Sequence, residues 1–267
     1  MKNYLNSLLF DSKMNKNRWH LPVIFILLLS FGCAEKDDGF VSLFDGKSFD
    51  GWVIPEKAVP SWKVVDGVMI NDGVGRECGE LIWTERNDYK DFVFKVDWRL
   101  SGKPEVFNHQ LYDSIGNRLV DEQGNSVTEQ GLFAGDGGVF FRGIKLDVNG
   151  PESSQNRYTR AQFNIWSHPL GSGQIHGYMV NQEMPVEVRK GAMPVKNADK
   201  PLGEWNSFVF TLKDDHVTVV LNGETVIETY LPELPDSGAI GLQQHVPARD
   251  AERPYPIEYR NVYVKEL

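Results

Sequence analysis

The sequence predicts an all-β sandwich, and three observations carry that expectation. Apolar and polar residues alternate along most of the chain, the period of a strand with one buried face. Turn pairs containing glycine separate these runs, and no stretch shows a sustained helical stripe. A chain of 267 residues that is 41% hydrophobic and 12% aromatic can bury one large core, a size that favours a jelly roll over an immunoglobulin-like sandwich.

"NKNRWHLPVIFILLLSFGC" begins with Lys16 and Arg18, runs apolar from Leu21 to Phe31 and ends on Gly32-Cys33. The run is too short for a comfortable membrane span and fits a secretory signal core. A small residue before the first cysteine points to a bacterial lipoprotein signal over residues 1–32, lipidated on Cys33. Ser30 and Phe31 depart from the strict motif, and an uncleaved anchor is the alternative; Met14 stands where a signal of normal length would start. The acidic "AEKDD" makes 33–39 a tether resembling the tag of surface-displayed lipoproteins in some Gram-negative bacteria. The expected location is therefore the Gram-negative cell envelope, periplasmic or surface-exposed, with the membrane touched only through the lipid anchor.

A single domain is expected over 40–267. "WKVVDGVMI" reads as a hairpin turning at Asp66-Gly67, and "DFVFKVDWRL" sets Phe92, Phe94, Val96, Trp98 and Leu100 against Val93, Lys95, Asp97 and Arg99. The polar stretch from Ser101 to Gly131, punctuated by Gly116-Asn117 and Gly124-Asn125, reads as an insertion at about 101–135 with a short hairpin of its own; long loops in compact domains often carry function. The proline-spaced run from Asn181 to Asn206 belongs on the surface. "SFVFTLK", "HVTVVLNGETVIET" with its Asn222-Gly223 turn, "AIGLQQH" and "IEYRNVYVKEL" supply the remaining strands.

With 28 basic and 37 acidic residues the formal charge is −9, and no Lys/Arg cluster offers a phosphate track, so nucleic acid is excluded as a partner. Besides Cys33 there is only Cys78, which cannot close an internal disulfide and reads as a small buried hydrophobe.

"AQFNIWSHPLGSGQIHGYMV" (Ala161 to Val180) is the candidate site. Read with period two, Gln162, Asn164, Trp166 and His168 share the face away from Phe163 and Ile165. Read as a hairpin with residues 169–173 as its loop, His168 opposes Gln174, Trp166 opposes His176, and Asn164 opposes Tyr178. An aromatic platform flanked by amides and imidazoles suits a pyranose ring; the competing reading is a solvated sheet face. His109 and His216 fall at expected loop or turn positions and receive no role. "NDG" at Asn71 to Gly73 reads as a turn before it reads as a calcium loop.

"FVSLFDGKSFDGW", "WKVVDGVM", "GGVFFRG", "GEWNSFVFTLKDDHVTVVLNGETVIE", "GAIGLQQH" and "IEYRNVYVKEL" together resemble the 3-keto-disaccharide hydrolase domain family, over roughly Phe40 to Leu267. The resemblance implies a concanavalin-like jelly roll of two curved antiparallel sheets, a carbohydrate site on the concave one, and action on glycosides oxidised to a ketone at sugar C3. The family's Gln-x-His near the C-terminus falls on Gln243 and His245, and its Arg after the long insertion on Arg142, which as an alternative is a structural ion pair. The family commonly carries a Glu, a Gln and an Asp on the strand that here reads "AQFNIWS", where this chain has Gln162, Asn164 and Ser167. The missing Glu weighs against a mechanism that would use it.

A ketone at C3 acidifies the C2 proton, so a modest base can start an elimination that expels the C1 substituent, with water adding back. Such a route needs a base, an electrophile for the enolate and an acid for the leaving oxygen. Histidine suits the base, so His168 or His176 takes that role, Arg142 or a metal the second, and Tyr178 or another histidine the third. Trp166 is the platform, and Gln162, Asn164, Gln174, Gln243 and His245 read the hydroxyls. The sequence assigns no definite cofactor, and His168, His176 and His245 together can hold a divalent metal. Ordinary glycosidases pair two carboxylates; Asp136 and Glu183, the nearest in sequence, fall on expected loops. The leading expectation is a 3-keto-glycoside hydrolase or lyase with an oxidised glycoside as partner. The runner-up is a non-catalytic carbohydrate-binding module, and a protein-interaction module is the third reading.

Overall fold

The alternation of "DFVFKVDWRL" is realised as a central strand of the larger of two sheets. In the computed structural model the described residues are 38–74, 80–143, 161–245 and 254–267. The expected signal over 1–32, the expected lipidation site at Cys33, and Cys78 lie outside them. The strands are β1 (Val41–Ser42), β2 (Trp52–Val53), β3 (Trp62–Val65), β4 (Val68–Asn71), β5 (Glu80–Thr84), β6 (Phe92–Leu100), β7 (Glu105–Gln110), β8 (Thr128–Phe133), β9 (Asp136–Gly143) and β10 (Gln162–Trp166). Two short helices follow, α1 (His176–Met179) and α2 (Val186–Gly191), and then β11 (Asn206–Lys213), β12 (His216–Leu221), β13 (Glu224–Tyr230), β14 (Ala239–Gln244) and β15 (Ile257–Glu266).

The larger sheet runs β13-β12-β11-β6-β15-β4-β3, with β1 on β15; the smaller runs β10-β9-β14-β5-β2. Every pairing is antiparallel. The β3–β4 and β12–β13 hairpins turn where expected, with Asp66-Gly67 and Asn222-Gly223 all at positive φ, as a two-residue turn matched to strand twist requires. On β6 every second residue is buried, from Phe92 to Leu100. These residues meet Val139, Phe141, Phe163, Ile165, Ile240 and Leu242 of the smaller sheet in one core. At its centre Phe141 and Phe163 lie 4.9 and 5.0 Å from the Phe210 ring, edge-on arrangements that aromatic quadrupoles favour.

The insertion contributes a two-stranded hairpin, β7–β8, paired from Glu105↔Phe133 to Gln110↔Thr128. His109 and His216, expected in loops or turns, are on β7 and β12. Within the proline-spaced surface run, residues 186–191 form α2, one turn and a half of helix.

The hairpin expected over Ala161 to Val180 does not form as a whole. Its first arm is β10, but the chain after the loop touches that strand at a single bridge, Phe163↔Ile175, supported by Asn164 N–H to Gln174 O at 2.9 Å and Gly173 N–H to Asn164 O at 2.7 Å. It then coils into α1. Asn164 therefore opposes Gln174, not Tyr178, and no strand sets His176 against Trp166.

Candidate active site

The face of the smaller sheet turned away from the core has two halves. Toward one end lies a satellite apolar cluster of Leu81, Trp83, Phe140 and Ala239. Toward the other the register gathers polar side chains. Asn164 and Gln243 both pair with Gly138 on β9, and Gln162 and Gln243 are joined by an amide hydrogen bond of 3.1 Å. Glycine is needed between them: a Cβ on Gly138 would stand 3.0 Å from the Phe163 carbonyl and 3.6 Å from the Gln162 amide nitrogen. Directly opposed strand neighbours lie about 4.5–5.5 Å apart at Cβ, so these amides surround an open floor.

One step along β9 from that floor is Asp136, opposite Trp166. Its backbone carbonyl accepts the His245 N–H at 2.9 Å, and its Oδ2 accepts from His245 Nδ1 at 3.2 Å. The carboxylate thereby fixes the tautomer and leaves the ring's lone pair on Nε2. Asp136 is 13% and His245 34% exposed, so the carboxylate is the sheltered partner and the imidazole the one that solvent reaches. Asp136 was expected on a loop, but it is the first residue of β9; Glu183 is exposed, outside this cluster.

Four residues here carry buried polar atoms without a hydrogen-bond partner: Asp136 Oδ1, Asn164 Oδ1, both amide atoms of Gln174, and His176 Nδ1. Leaving such atoms unpaired costs about 1–3 kcal/mol each. The register places Gln174 beside Asn164, and His176 lies within electrostatic reach of Asp136 and His245. Burial holds the His176 imidazole below its usual range against the opposing pull of Asp136, so it is neutral at neutral pH. Desolvated, convergent and unpaired donors and acceptors beside a buried carboxylate are the chemistry of a ligand site.

Three expected site residues are not in it. Arg142 is 1% exposed at φ 50°, which turns its side chain out of the β9 alternation. Its guanidinium donates to Lys90 O (2.9 Å), Pro235 O (3.2 Å) and Asp91 Oδ1 (3.2 Å), the structural alternative. Tyr178 is fully buried in the main core and gives its hydroxyl to Pro232 O at 2.8 Å. His168 is 5% exposed with both ring nitrogens engaged: Nδ1 accepts the Leu170 N–H at 3.1 Å, so Nε2 donates to Gln110 O at 2.7 Å. Desolvation lowers it to about 4, and with no lone pair to offer it is not a base. It stacks on Trp166 at 4.1 Å and fastens the β7–β8 hairpin to the sheet. With His168 so engaged, the three-histidine metal set does not form, and no other His/Cys/Asp/Glu group suited to a metal occurs among the described residues.

Trp166, expected as the platform, is the last residue of β10, its Nε1 donating to Gly171 O at 2.9 Å. Beside it, and reaching Asp136, is a cavity of about 230 Å³ walled by Phe107, His109 and Tyr112 of the insertion together with Phe133.

Residues 39–265 match the family described as the 3-keto-alpha-glucoside-1,2-lyase-like domain. A curated 3-keto-disaccharide hydrolase of Bacteroides thetaiotaomicron is 32% identical over 207 residues, which span 73% of this chain and 59% of that protein. A crystal structure of a protein assigned as a glycosyl hydrolase from Parabacteroides distasonis superposes with a TM-score of 0.53 at 19% identity, covering 86% of this chain and 94% of that one. This last likeness is one of fold.

Proposed function

The chain belongs to the 3-keto-alpha-glucoside-1,2-lyase-like domain family, and from that premise we propose that its site cleaves the glycosidic bond of 3-keto-glycosides. The observation that carries the reading is the Asp136–His245 pair set among unpartnered buried amides. His245 Nε2 takes the C2 proton, which the adjacent ketone has made acidic. The C2–H electrons form the enolate, whose collapse restores the C3 carbonyl, makes the C1–C2 double bond and releases the C1 oxygen substituent. The imidazolium, facing Asp136, returns the proton to that leaving oxygen. Water then adds across the double bond and completes a net hydrolysis.

Gln174 Nε2 is a buried donor without a partner and suits the developing enolate oxygen; a preplaced donor of this kind is worth about 3–4 kcal/mol. Asn164, Gln162 and Gln243 read the ring hydroxyls, and neutral His176 supports the same face. The apolar run ending at Cys33 further supports a lipid-anchored enzyme of the cell envelope.

The test offers the purified protein a 3-keto-glucoside and its unoxidised parent. The keto sugar alone is turned over, and deuterium at C2 slows it. Asp136→Asn and His245→Ala each lower kcat by roughly 10²–10⁴, the usual worth of a general base. Equal cleavage of both sugars, or full activity in both variants, would refute the mechanism. Binding of the keto sugar without turnover would leave a carbohydrate-binding module.

A further inference from the structure

We infer that the β7–β8 hairpin builds the binding site for a flat, phenol-like leaving group. The inference rests on the cleavage reading above and specifies its substrate: an aryl 3-keto-glycoside in preference to a disaccharide.

The cavity that reaches Asp136 is walled by rings. Phe107 lies 5.1 Å from both His109 and Phe133, and Tyr112 stands 5.8 Å from His168, which is itself stacked on Trp166. The His109 ring lies where a Cβ on Gly131 would be 2.9 Å away, so glycine on the paired strand is what admits it. A cavity of roughly 150 Å³ lined by apolar side chains holds benzene; about 230 Å³ holds a substituted phenol.

Hydrogen bonding decides between a phenol and a second sugar. Apart from the Asp136 carboxylate and the Tyr112 hydroxyl, each polar side chain of this wall already has a partner within the protein. Gln110 Nε2 donates to Leu111, Leu119 and Val127 carbonyls at 2.7, 3.0 and 3.2 Å. His109 Nε2 meets Leu132 O at 3.2 Å, His168 uses both nitrogens, and Ser167 Oγ takes the Ala134 N–H at 3.3 Å. A sugar placed here would bury hydroxyls against rings, at the cost that unpaired polar groups carry. An aryl ring instead gains stacking on every side.

The chemistry agrees. A phenol has a pKa of about 10, that of the tyrosine side chain, several units below an alcohol, so the C1–O bond breaks with little acid assistance. The proton lifted from C2 by His245 suffices to neutralise the departing phenolate, and the atoms balance: keto-glycoside gives phenol and the unsaturated keto sugar.

The experiment compares 4-nitrophenyl 3-keto-glucoside with a 3-keto-disaccharide in the wild type, Phe107→Ser and the volume-keeping Phe107→Leu, and measures 4-ethylphenol binding to each protein by calorimetry. Losing one aromatic contact, worth about 0.5–1.5 kcal/mol, raises KM for the aryl substrate roughly two- to twelvefold. KM for the disaccharide stays within about twofold, and ethylphenol binding weakens in parallel with the aryl KM, less in Phe107→Leu. Equal losses on both substrates, or no ethylphenol binding to the wild type, overturn the inference while the cleavage reading stands. If neither keto substrate is cleaved, the cleavage reading fails, and ethylphenol binding that weakens in Phe107→Ser still supports the pocket.

Discussion

Replacing His168 by phenylalanine should make the fold less stable at neutral pH and less sensitive to acid. Phenylalanine keeps the stack on Trp166 but leaves Gln110 O and Leu170 N–H without their partners at 2.7 and 3.1 Å. Two lost hydrogen bonds, with the cost of leaving buried groups unpaired, come to about 2–4 kcal/mol at pH 7. The pH term has a definite sign. His168 titrates near 4 in the folded chain, against 6.5 for an ordinary imidazole, because burial disfavours its charge. Between those values the unfolded chain binds the proton and the folded one does not, so stability rises with pH by about 1.4 kcal/mol per unit. The contribution is fully present above about 6.5 and is lost as pH falls towards 4, roughly 3 kcal/mol in all.

Other groups add to the wild-type curve. His109 and His176, also lowered by burial, act in the same direction. Asp199, raised to about 6 by burial, acts in the opposite one: its contribution is present below about 3.8 and is lost as pH rises through 6. Subtracting the two proteins' curves cancels the contributions of His176 and Asp199 and leaves that of His168, with the part of His109 that is coupled to it. Urea unfolding at pH 7, 5.5 and 4.5 should therefore show a gap that narrows with acid by about 1.4 kcal/mol per unit. A gap that stays constant would refute the assignment of His168 as a buried neutral clasp.

Two further outcomes test the site's boundaries. Tyr178→Phe removes the bond to Pro232 O, so urea unfolding should show a loss of about 1 kcal/mol, with kcat/KM on a keto-glycoside unchanged. Gly138→Ala puts a methyl into the open floor between Asn164 and Gln243, and steady-state kinetics should show KM raised roughly tenfold, the usual effect of one misplaced carbon in a pocket.

The strands were legible because their cause is local: a period of two, broken by turn pairs whose backbone only a few residues adopt. Where the cause is not local the reading failed. Ile175, Tyr178 and Met179 are spaced as i, i+3 and i+4, a helical stripe only one turn long, and in "GQIHGYM" Ile175, Gly177 and Met179 also satisfy strand alternation, with Tyr178 on the other face. Packing of Tyr178 and Met179 into the core settled it as helix. Asp136 could have been found: alternation through "DGGVFFRG" puts it with Gly138 on the face opposite Val139 and Phe141. Arg142 follows the same alternation in sequence and leaves it in space, because a positive φ at a non-glycine residue has no sequence signal. His168 finds its partner, a backbone carbonyl, 58 positions away, and periodicity cannot report such a contact.

The attachment of the insertion has an evolutionary consequence. His168 and Ser167 hold it through the Gln110 carbonyl and the Ala134 amide, groups that every residue type but proline provides. The hairpin's side chains are thus free to drift without unfastening it, while Asp136, first residue of β9, and His245, just after β14, sit on the sheet that such drift does not disturb. A lineage could exchange Phe107 or Tyr112 and inherit a new range of substrates with its reaction intact.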